Sequence, residues 1–438
     1  FNSKNYDIPI LCLALKGATC AQLKEASNFI IQGGNRPFDF EREYKIKIPK
    51  YNHIDLIEVA PLQGSLKLYA GRLNAKRMQD LPYEHTHILT RGEAEVVRPY
   101  CCNDLDNTEL LCNELGSEIK LRIEMSEEYG VDLRSKSDAQ VAEAVINAEL
   151  QKVLGYYPQR PRYAEGICLQ YTVPDFVSFK SPKLNEMLEI IRSTKFFLDA
   201  LGAPEMPKEL ENMKVSIGKS IYKLGMGGLH SQEKRAVHIA SPGEIIADND
   251  VVSYYPWIIL NQRLFPEHLG EAFLIVYKAI VDRRLDAKDK AKLLKLVDKL
   301  AAAGFKSIAD TLKIVINGSF GKLGNKWSTL YAPQLMLQVT ITGQLCLLML
   351  IEMLEMASIS VISANTDGVI SKYKESEHAK VRAIIAEWEQ ICSFKTEETR
   401  YSALYSRDVN NYIAVKIEQD KKTGKWERAV DPDARFLD

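Results

Sequence analysis

The chain has 438 residues, 46% of them hydrophobic, and its 57 Lys and Arg against 58 Asp and Glu give a formal net charge of −1 at pH 7. At about 150 residues a domain, this length predicts about three domains, each able to bury a core. The near-neutral charge excludes an overall basic surface, so nucleic-acid binding would require a local basic groove.

Two short patterns lie near the amino terminus. Asn2 and Asp7 flank the aromatic Tyr6, and further along the chain Tyr100 and Asp104 have the i, i+4 spacing that puts two side chains on one helix face. A Tyr-x-x-x-Asp pattern alone occurs by chance in many helices. The Tyr100–Asp104 pattern is informative here only because the Asn2–Asp7 pattern accompanies it.

Residues 113–200 form a connector to which no function is assigned. Ser135–Asp138 precede a segment with the apolar periodicity of a helix, and Pro158–Pro161 interrupt the chain further on.

A glycine-rich segment, residues 222–230, follows the connector and contains Gly227 and Gly228. Glycines let a backbone approach phosphates closely, although an ordinary glycine-rich turn explains the pattern equally well. His230 and His238 have no Cys or His at metal-binding spacing and are predicted to be structural.

The strongest indication of a functional site comes from two acidic segments about 115 residues apart. Asp250 follows the apolar run 244–247, which predicts a short strand with a carboxylate at its end. Asp367 lies between two β-rich runs, 359–364 and 369–373, which predicts a turn. A two-metal site needs hard oxygen ligands that converge from distant parts of a chain, and strand-end carboxylates provide them. Taken alone, a Thr-Asp-Gly sequence is a turn far more often than a metal site.

The chain between these segments is predicted to hold two antiparallel helices over residues 261–311, joined near Ala301–Gly304. Polar residues recur on the helices at the i, i+4 spacing that shares one face. The two pairs are Arg284 with Lys288 and Lys313 with Asn317. After them, residues 345–351 are strongly apolar, but polar residues bracket them too closely for a membrane span, which predicts a buried helix.

In this order, the segments Asp250–Ile259, Lys313–Gly321 and Asn365–Gly368 resemble the three polymerase motifs of family B DNA polymerases. The resemblance implies that Asp250 and Asp367 are catalytic and bind two Mg²⁺ ions, with Mn²⁺ as an alternative. The family's usual Asp-Thr-Asp-Ser reads Asn-Thr-Asp-Gly here. Asn365 is therefore not assigned as a metal ligand.

The resemblance also implies how substrates bind. The backbone amides of Ser253 and Tyr254 would hold the triphosphate, and the ring of Tyr255 would leave no room for a ribose 2′-hydroxyl, which selects deoxynucleotides. Further nucleotide-binding residues implied are Arg284, Lys288, Lys313 and Asn317, with Arg284 preferred over Arg283 for its spacing to Lys288. The DNA-binding residues implied are Gly227, Gly228, Phe320, Gly321 and Tyr412. The chain departs from the family pattern with Gly318 for Ser, Phe320 for Tyr and Asn410 for Lys.

The amino-terminal patterns resemble the second and third 3′–5′ exonuclease motifs of the same family, with exonuclease residues Asn2, Asp7, Tyr100 and Asp104, of which Asp7 and Asp104 would bind metal. Residues 55–56 then resemble a connecting strand and residues 65–69 the start of a helix. The family's first exonuclease motif, an Asp-x-Glu, would precede Asp7. The chain is therefore expected to be a fragment whose proofreading site is inactive.

The predicted fold class is α/β (α+β), a partial RNase-H-like exonuclease domain followed by a right-hand polymerase palm with short two-helix fingers. The predicted domains are 1–115 exonuclease, 116–210 helical connector, 211–260 palm, 261–320 fingers, 321–420 palm and 421–438 start of the thumb.

The predicted function is template-directed addition of deoxynucleotides to a primer 3′-end by a phage-like enzyme. Its expected partners are primer-template DNA, deoxynucleoside triphosphates and a priming protein or replisome factors, with no membrane. The eight cysteines form no Cys-x-x-Cys pair and are expected to be reduced core residues of a cytoplasmic protein, in the host cytoplasm if the source is viral. Two alternatives remain open, a catalytically silent nucleic-acid-binding remnant and a two-metal 3′–5′ nuclease.

Overall fold

The structure is a computed structural model that describes residues 1–62, 64–84, 86–164, 166–295, 297–419 and 426–428. The predicted hairpin around Lys422–Lys425 and most of the predicted thumb segment lie outside the described residues. The helices and the antiparallel sheets together confirm the predicted mixed α/β class.

The helices are α1 (Ile8–Leu15), α2 (Cys20–Ile31), α3 (Pro37–Glu43), α4 (Leu56–Val59), α5 (Leu66–Arg72), α6 (Arg91–Glu114), α7 (Gly116–Tyr129), α8 (Asp138–Leu154), α9 (Pro182–Ser193), α10 (Lys208–Glu211), α11 (Tyr254–Asn261), α12 (Glu271–Leu294), α13 (Lys299–Leu323), α14 (Pro333–Met356) and α15 (His378–Cys392), with a π-helical turn at Ser3–Asp7 and a 3₁₀ turn at Glu375–Glu377. The strands are β1 (Leu169–Gln170), β2 (Lys195–Leu198), β3 (Pro204–Glu205), β4 (Lys214–Ile217), β5 (Ser220–Lys223), β6 (His230–Ser231), β7 (Ala236–Ile239), β8 (Glu244–Val251), β9 (Ser360–Asn365), β10 (Gly368–Lys374), β11 (Thr396–Asp408), β12 (Asn411–Gln419) and β13 (Trp426–Arg428).

The chain forms two compact units. The first comprises Phe1–Lys152 and Arg283–Gly318, and the second comprises Val153–Asp282 and Ser319–Asp438. Helices α12 and α13 each contribute residues to both units. The six predicted domain boundaries remain predictions.

The strand predicted at residues 55–56 is absent, because Asp55 instead precedes α4 and is buried. Its carboxylate accepts backbone hydrogen bonds from Ser3 (3.2 Å) and Lys4 (2.9 Å), and its own N–H donates to Ser135 Oγ (2.9 Å). A buried carboxylate is stabilised by several N–H donors. Asp55 therefore fixes the turn that carries Asn2 and Asp7.

The second unit contains an antiparallel sheet. Among the described residues it has ten strands, nine of them in the order β13-β12-β11-β8-β10-β9-β6-β5-β4, with β7 paired to β11. A separate three-stranded sheet has the order β1-β2-β3. Strand β8 lies between β10 and β11, where Ile246 packs with Ile370 and Leu404 in a buried cluster. The apolar half of β8 thus anchors the strand that carries Asp250 near its end.

Helix α14 contains the predicted apolar segment and is much longer than that segment. By length and composition it could cross a membrane, so the sequence argument that polar residues leave too short an apolar span was wrong on this point. Of the most apolar window, 89% is buried inside the protein, as in the core helix of a globular domain. Its burial agrees with the predicted buried helix.

The turn between α12 and α13 lies before Lys299 rather than at Ala301–Gly304, which are helical. The Asp298 carboxylate accepts hydrogen bonds from the N–H groups of Leu300 (3.1 Å) and Ala301 (3.0 Å), as an N-terminal cap does. Alanine is the best helix former, so the alanine run continues the helix that this cap begins.

The prediction of core cysteines holds for only three of the eight. Cys12, Cys346 and Cys392 are buried, and the other five are exposed, namely Cys20, Cys101, Cys102, Cys112 and Cys168. All eight are free thiols.

Candidate active site

Asp250 and Asp367, far apart in the sequence, are neighbours in the second unit. Strand β8 pairs with β10 so that Asp250 lies opposite Gly368, and the N–H of Val251 donates to the carbonyl oxygen of Asp367 (2.8 Å). Asp367 lies in the turn between β9 and β10, as the flanking β-rich runs predicted. One end of the sheet therefore brings both carboxylates together.

The turn that carries Asp367 has a strained backbone. Thr366 has φ 46°, which is an outlier for a β-branched residue, and the N–H of Asp367 donates to the carbonyl of Asn365 (2.5 Å). The N–H of Thr366 is in turn held by the carbonyl of Leu229 (2.9 Å). Ser253, three residues after Asp250, also has a positive φ, 52°. Such strain persists only where the surrounding structure fixes it, and it is frequent at functional sites.

Glycine at position 368 is explained by Asp250. A Cβ at this position would overlap Asp250 Oδ1 and would lie 3.3 Å from Asp248 Oδ1. Glycine at this position thus leaves room for two neighbouring carboxylates.

Sequence reasoning missed Asp248, which lies two residues before Asp250 on the same face of β8. It is only 6% exposed, and Tyr401 Oη donates to its Oδ2 (2.9 Å). Glu397 lies opposite Asp250 on β11. The alternation Asp-Asn-Asp in a predicted strand was the signal that could have identified Asp248.

The pKa values of the three aspartates are raised above the ordinary value. Burial, followed by the charges of Asp248, Asp367 and Glu397, raises the pKa of Asp250 to about 7. Burial also raises the pKa of Asp248 and of Asp367. Gathered like charges of this kind are stabilised by a cation.

No group of three or more His, Cys, Asp or Glu side chains within the described ranges is arranged to hold a metal ion by itself. Mg²⁺ is commonly bound by one or two carboxylates with substrate phosphates and water as the remaining ligands. Asp250 and Asp367, which are neighbours and both exposed to solvent, fit that second kind of site.

Tyr255 contacts two other predicted site residues. Its ring packs against Phe320 with centroids 4.4 Å apart, and its hydroxyl donates to the carbonyl of Gly227 (3.2 Å). Burial, followed by the charge of Asp367, raises the pKa of Tyr255. Three residues predicted separately therefore meet beside one of the two carboxylates.

Helix α11 begins directly after the strained Ser253. Its first N–H groups, which include those of Tyr254 and Tyr255, have no acceptor within the helix, and such groups favour anions. The side chain of Tyr254 is buried and donates to the carbonyl of Gly343 (2.5 Å), so only its backbone is available to a ligand.

The glycine-rich loop lies against the Asp367 turn. Gly228 has φ 142°, and a Cβ there would come within 3.0 Å of the Thr366 side chain, so only glycine fits. The buried Gln344 side chain holds the loop through two hydrogen bonds, accepting from the N–H of Gly225 (2.9 Å) and donating to its carbonyl (2.9 Å). Gln344 is a second residue that sequence reasoning missed.

Tyr412 on β12 lies near the same acidic residues. Burial, followed by the charges of Asp248, Asp250, Glu233 and Asp367, raises its pKa. Tyr412 remains nearly half exposed, so a ligand could reach its ring.

The other predicted nucleotide-binding residues belong to the first unit, and their role remains a prediction. Lys313 and Asn317 are both exposed on α13, as their spacing predicted. At Gly318, a Cβ would come within 2.7 Å of the Asp138 carbonyl. The Arg284 and Lys288 pair lies on α12, where Arg283 is instead paired with Glu128. Gly321, in the second unit, is exposed with open space beside it.

The predicted exonuclease residues form two separate sets in the first unit. Burial, followed by a hydrogen bond with Asp104, raises the pKa of Tyr100 on α6. Asp7 ends the π-helical turn, and Asn2 Oδ1 accepts from the Asn5 side chain (3.3 Å). In the residues that the structure describes, no hydrogen bond or ion pair joins Asp7 to Asp104, and their metal-binding role remains a prediction.

No family model matches the chain, and the comparison with curated proteins found no match. Among solved structures, the chain is similar to the family B DNA polymerase of the hyperthermophilic archaeon Pyrobaculum calidifontis, with 13% identity and a TM-score of 0.47. The match covers 98% of this chain and 51% of that polymerase, so the chain spans about half of its length. So distant a likeness transfers no activity to this chain.

Proposed function

We propose that the chain is a template-directed DNA polymerase that extends a primer 3′-end with deoxynucleotides. The observation that carries the proposal is the pairing of β8 with β10, which makes Asp250 and Asp367 neighbours. In this reaction the primer 3′-oxygen forms a bond to the α-phosphorus, the bond from that phosphorus to the leaving pyrophosphate breaks, and the hydroxyl proton passes to solvent.

Asp250 and Asp367 would hold two Mg²⁺ ions, and the triphosphate would complete their ligand shells. Bound Mg²⁺ would stabilise the charge that develops on the attacking and leaving oxygens. Gly368 leaves the Asp250 carboxylate the space to take part, and Asp248 is held beside it by Tyr401. The N–H groups at the start of α11 would bind the triphosphate, since the helix begins four residues after Asp250.

Tyr255 would select the sugar. Its ring is fixed on one side by Phe320 and at its hydroxyl by Gly227, so it cannot easily turn aside for a larger ribose. Tyr412, near the acidic residues, would contact the primer strand.

We expect Tyr255→Ala to admit ribonucleotides, with discrimination against them falling by about a hundredfold, the usual limit for rejecting an added hydroxyl by shape. Deoxynucleotide use should fall only modestly. Single-nucleotide incorporation with matched ribo- and deoxynucleotides measures this. The matched control is Tyr255→Phe, which keeps the ring and loses only the hydrogen bond to Gly227. If Tyr255→Phe loses discrimination against ribonucleotides as fully as Tyr255→Ala does, the ring is not the selecting element.

We expect Gln344→Leu to destabilise the glycine-rich loop, because it leaves both backbone groups of Gly225 without their partner. An unsatisfied buried polar group costs about 1–3 kcal/mol, which a urea melt detects. The KM for primer-template should rise as well. Gln338 on the same helix holds Thr172 through an equivalent pair of hydrogen bonds (3.1 and 2.5 Å). Gln338→Leu should therefore cost similar stability with an unchanged KM, and equal KM effects would show that the loop has no special role.

Two alternative functions can be distinguished from polymerase activity by assays on one protein preparation. A silent remnant would bind primer-template without extending it. A 3′–5′ nuclease would degrade single strands in a manner sensitive to Asp104→Asn and insensitive to Asp250→Asn.

A further inference from the structure

A surface of the second unit combines exposed aromatic rings with cations. Residues 156–163 have no regular secondary structure and read Tyr-Tyr-Pro-Gln-Arg-Pro-Arg-Tyr. We call this segment, together with Lys326 and Trp327, the basic–aromatic surface.

Trp327 is the centre of this surface. Its side chain is 70% exposed, whereas Trp388 is fully buried. The Arg160 guanidinium lies 4.9 Å from the Trp327 ring centroid, and Lys326 Nζ lies 5.7 Å from it. Tyr156 and Tyr157 are also exposed, by 57% and 50%. Large rings left in water without a covering element are characteristic of binding surfaces.

The groove beside Trp327 is held in a fixed shape. Tyr163 packs edge-on against Tyr331 with centroids 5.2 Å apart, and the Tyr331 hydroxyl donates to the carbonyl of Gly202 (2.6 Å). Gly202 has φ 91°, and a Cβ there would come within 2.8 Å of the Lys326 side chain. Lys326 Nζ donates to the carbonyl of Ala200 (2.7 Å). Lys326 and the rings of Tyr163 and Tyr331 are therefore preorganised.

The groove is positively charged on balance. Arg160, Arg162 and Lys326 line it, and Asp199 is the acidic residue among the described lining residues. The Asp199 carboxylate accepts hydrogen bonds from the N–H groups of Leu201 (2.8 Å) and Ala203 (2.9 Å). Its charge is thus partly satisfied by the backbone of its own turn. The net excess of cations favours a polyanion.

We propose that the basic–aromatic surface binds single-stranded DNA, with an unpaired base stacked on Trp327 and the backbone phosphates bound by Arg160 and Arg162. Alternating rings and cations fit a strand that presents bases and phosphates in turn, and every base offers a face for stacking. Two prolines limit the freedom of residues 156–163, which lowers the entropy lost on binding. The choice of DNA over an acidic peptide rests on the proposed function, since a polymerase must handle an unpaired template.

The test measures binding of fluorescently labelled oligo(dT) to the full chain by polarisation, without metal ion or nucleotide. Trp327→Ala should weaken binding by about tenfold, within the range for loss of one stacked base. The double variant Arg160→Ala, Arg162→Ala should weaken binding and reduce the slope of log affinity against log salt by about 1.4, at about 0.7 per phosphate contact for single strands. Trp327→Phe, which keeps a ring, should restore most of the affinity.

Phe197→Ala and Arg192→Ala are the matched controls, because they remove an exposed ring and an exposed cation elsewhere in the second unit. Both should bind as the wild type does. The proposal is overturned if the surface variants bind like the wild type, if the controls lose as much, or if duplex DNA competes as well as oligo(dT). Because the assay contains no nucleotide, it tests DNA binding by this surface independently of whether the chain extends primers.

Discussion

Replacing either carboxylate, as Asp250→Asn or Asp367→Asn, should abolish primer extension. Each change removes a proposed metal ligand, and loss of metal-ion stabilisation on the order of 4 kcal/mol corresponds to about a thousandfold in rate. Primer-template binding should change little, since neither side chain is assigned to a DNA phosphate. Extension assays and polarisation with labelled primer-template, run on one preparation, measure the two quantities.

Folding should not account for the loss. Asp250 lies near Asp248, Asp367 and Glu397, and an amide in its place removes one of several like charges. The unfolding temperature of Asp250→Asn should therefore equal or exceed that of the wild type. A variant that is both inactive and less stable would leave the metal assignment without support.

Asn365→Ala is the matched control for Asp367→Asn, because Asn365 lies in the same turn and is not assigned as a ligand. It should retain most of the extension activity. Near-wild-type incorporation by either aspartate variant, or an equal loss in Asn365→Ala, contradicts the two-metal proposal.

Local sequence patterns were sufficient to predict the parts of the site that depend on neighbouring residues. The apolar run before Asp250 and the two β-rich runs around Asp367 predicted a strand and a turn, and both are present. The resemblance of motifs selected Tyr255, Phe320 and Gly227 separately, and the structure brings Tyr255 into contact with the other two.

Contacts between distant parts of the chain could not be predicted in the same way. Gln344 reads as one polar residue in an apolar helix, and its two hydrogen bonds to Gly225 span 119 positions. The strand predicted at Asp55 was wrong for a similar reason. The backbone N–H groups that donate to its carboxylate belong to Ser3 and Lys4, which are distant in the sequence. The turn before α13 was misplaced for a local reason, since the alanine run was given more weight than the cap at Asp298.

Gly368→Ala should reduce the rate of extension by about a hundredfold. An added Cβ would overlap Asp250 Oδ1, so that carboxylate must move, and a displacement of about 1 Å in a catalytic group can cost this much. The substitution should destabilise the fold little, because the atom that must move is the end of a side chain and alanine is otherwise better tolerated than glycine within a strand by about 0.5–1 kcal/mol. Steady-state extension kinetics together with a thermal melt measure both effects. Gly92→Ala, at an exposed helical glycine with open space beside it, is the control and should extend normally.

The same geometry predicts a rescue. Gly368→Ser introduces the residue usual in family B polymerases, yet it should be as damaging here as alanine, because it adds the same Cβ, which would overlap Asp250 Oδ1 and lie 3.3 Å from Asp248 Oδ1. Adding Asp248→Ala to Gly368→Ser removes the second carboxylate and gives Asp250 space to shift. We expect this double variant to recover part of the lost rate relative to Gly368→Ser alone. If Gly368→Ser extends primers as well as the wild type, crowding by Asp248 and Asp250 is not the reason that glycine occupies this position.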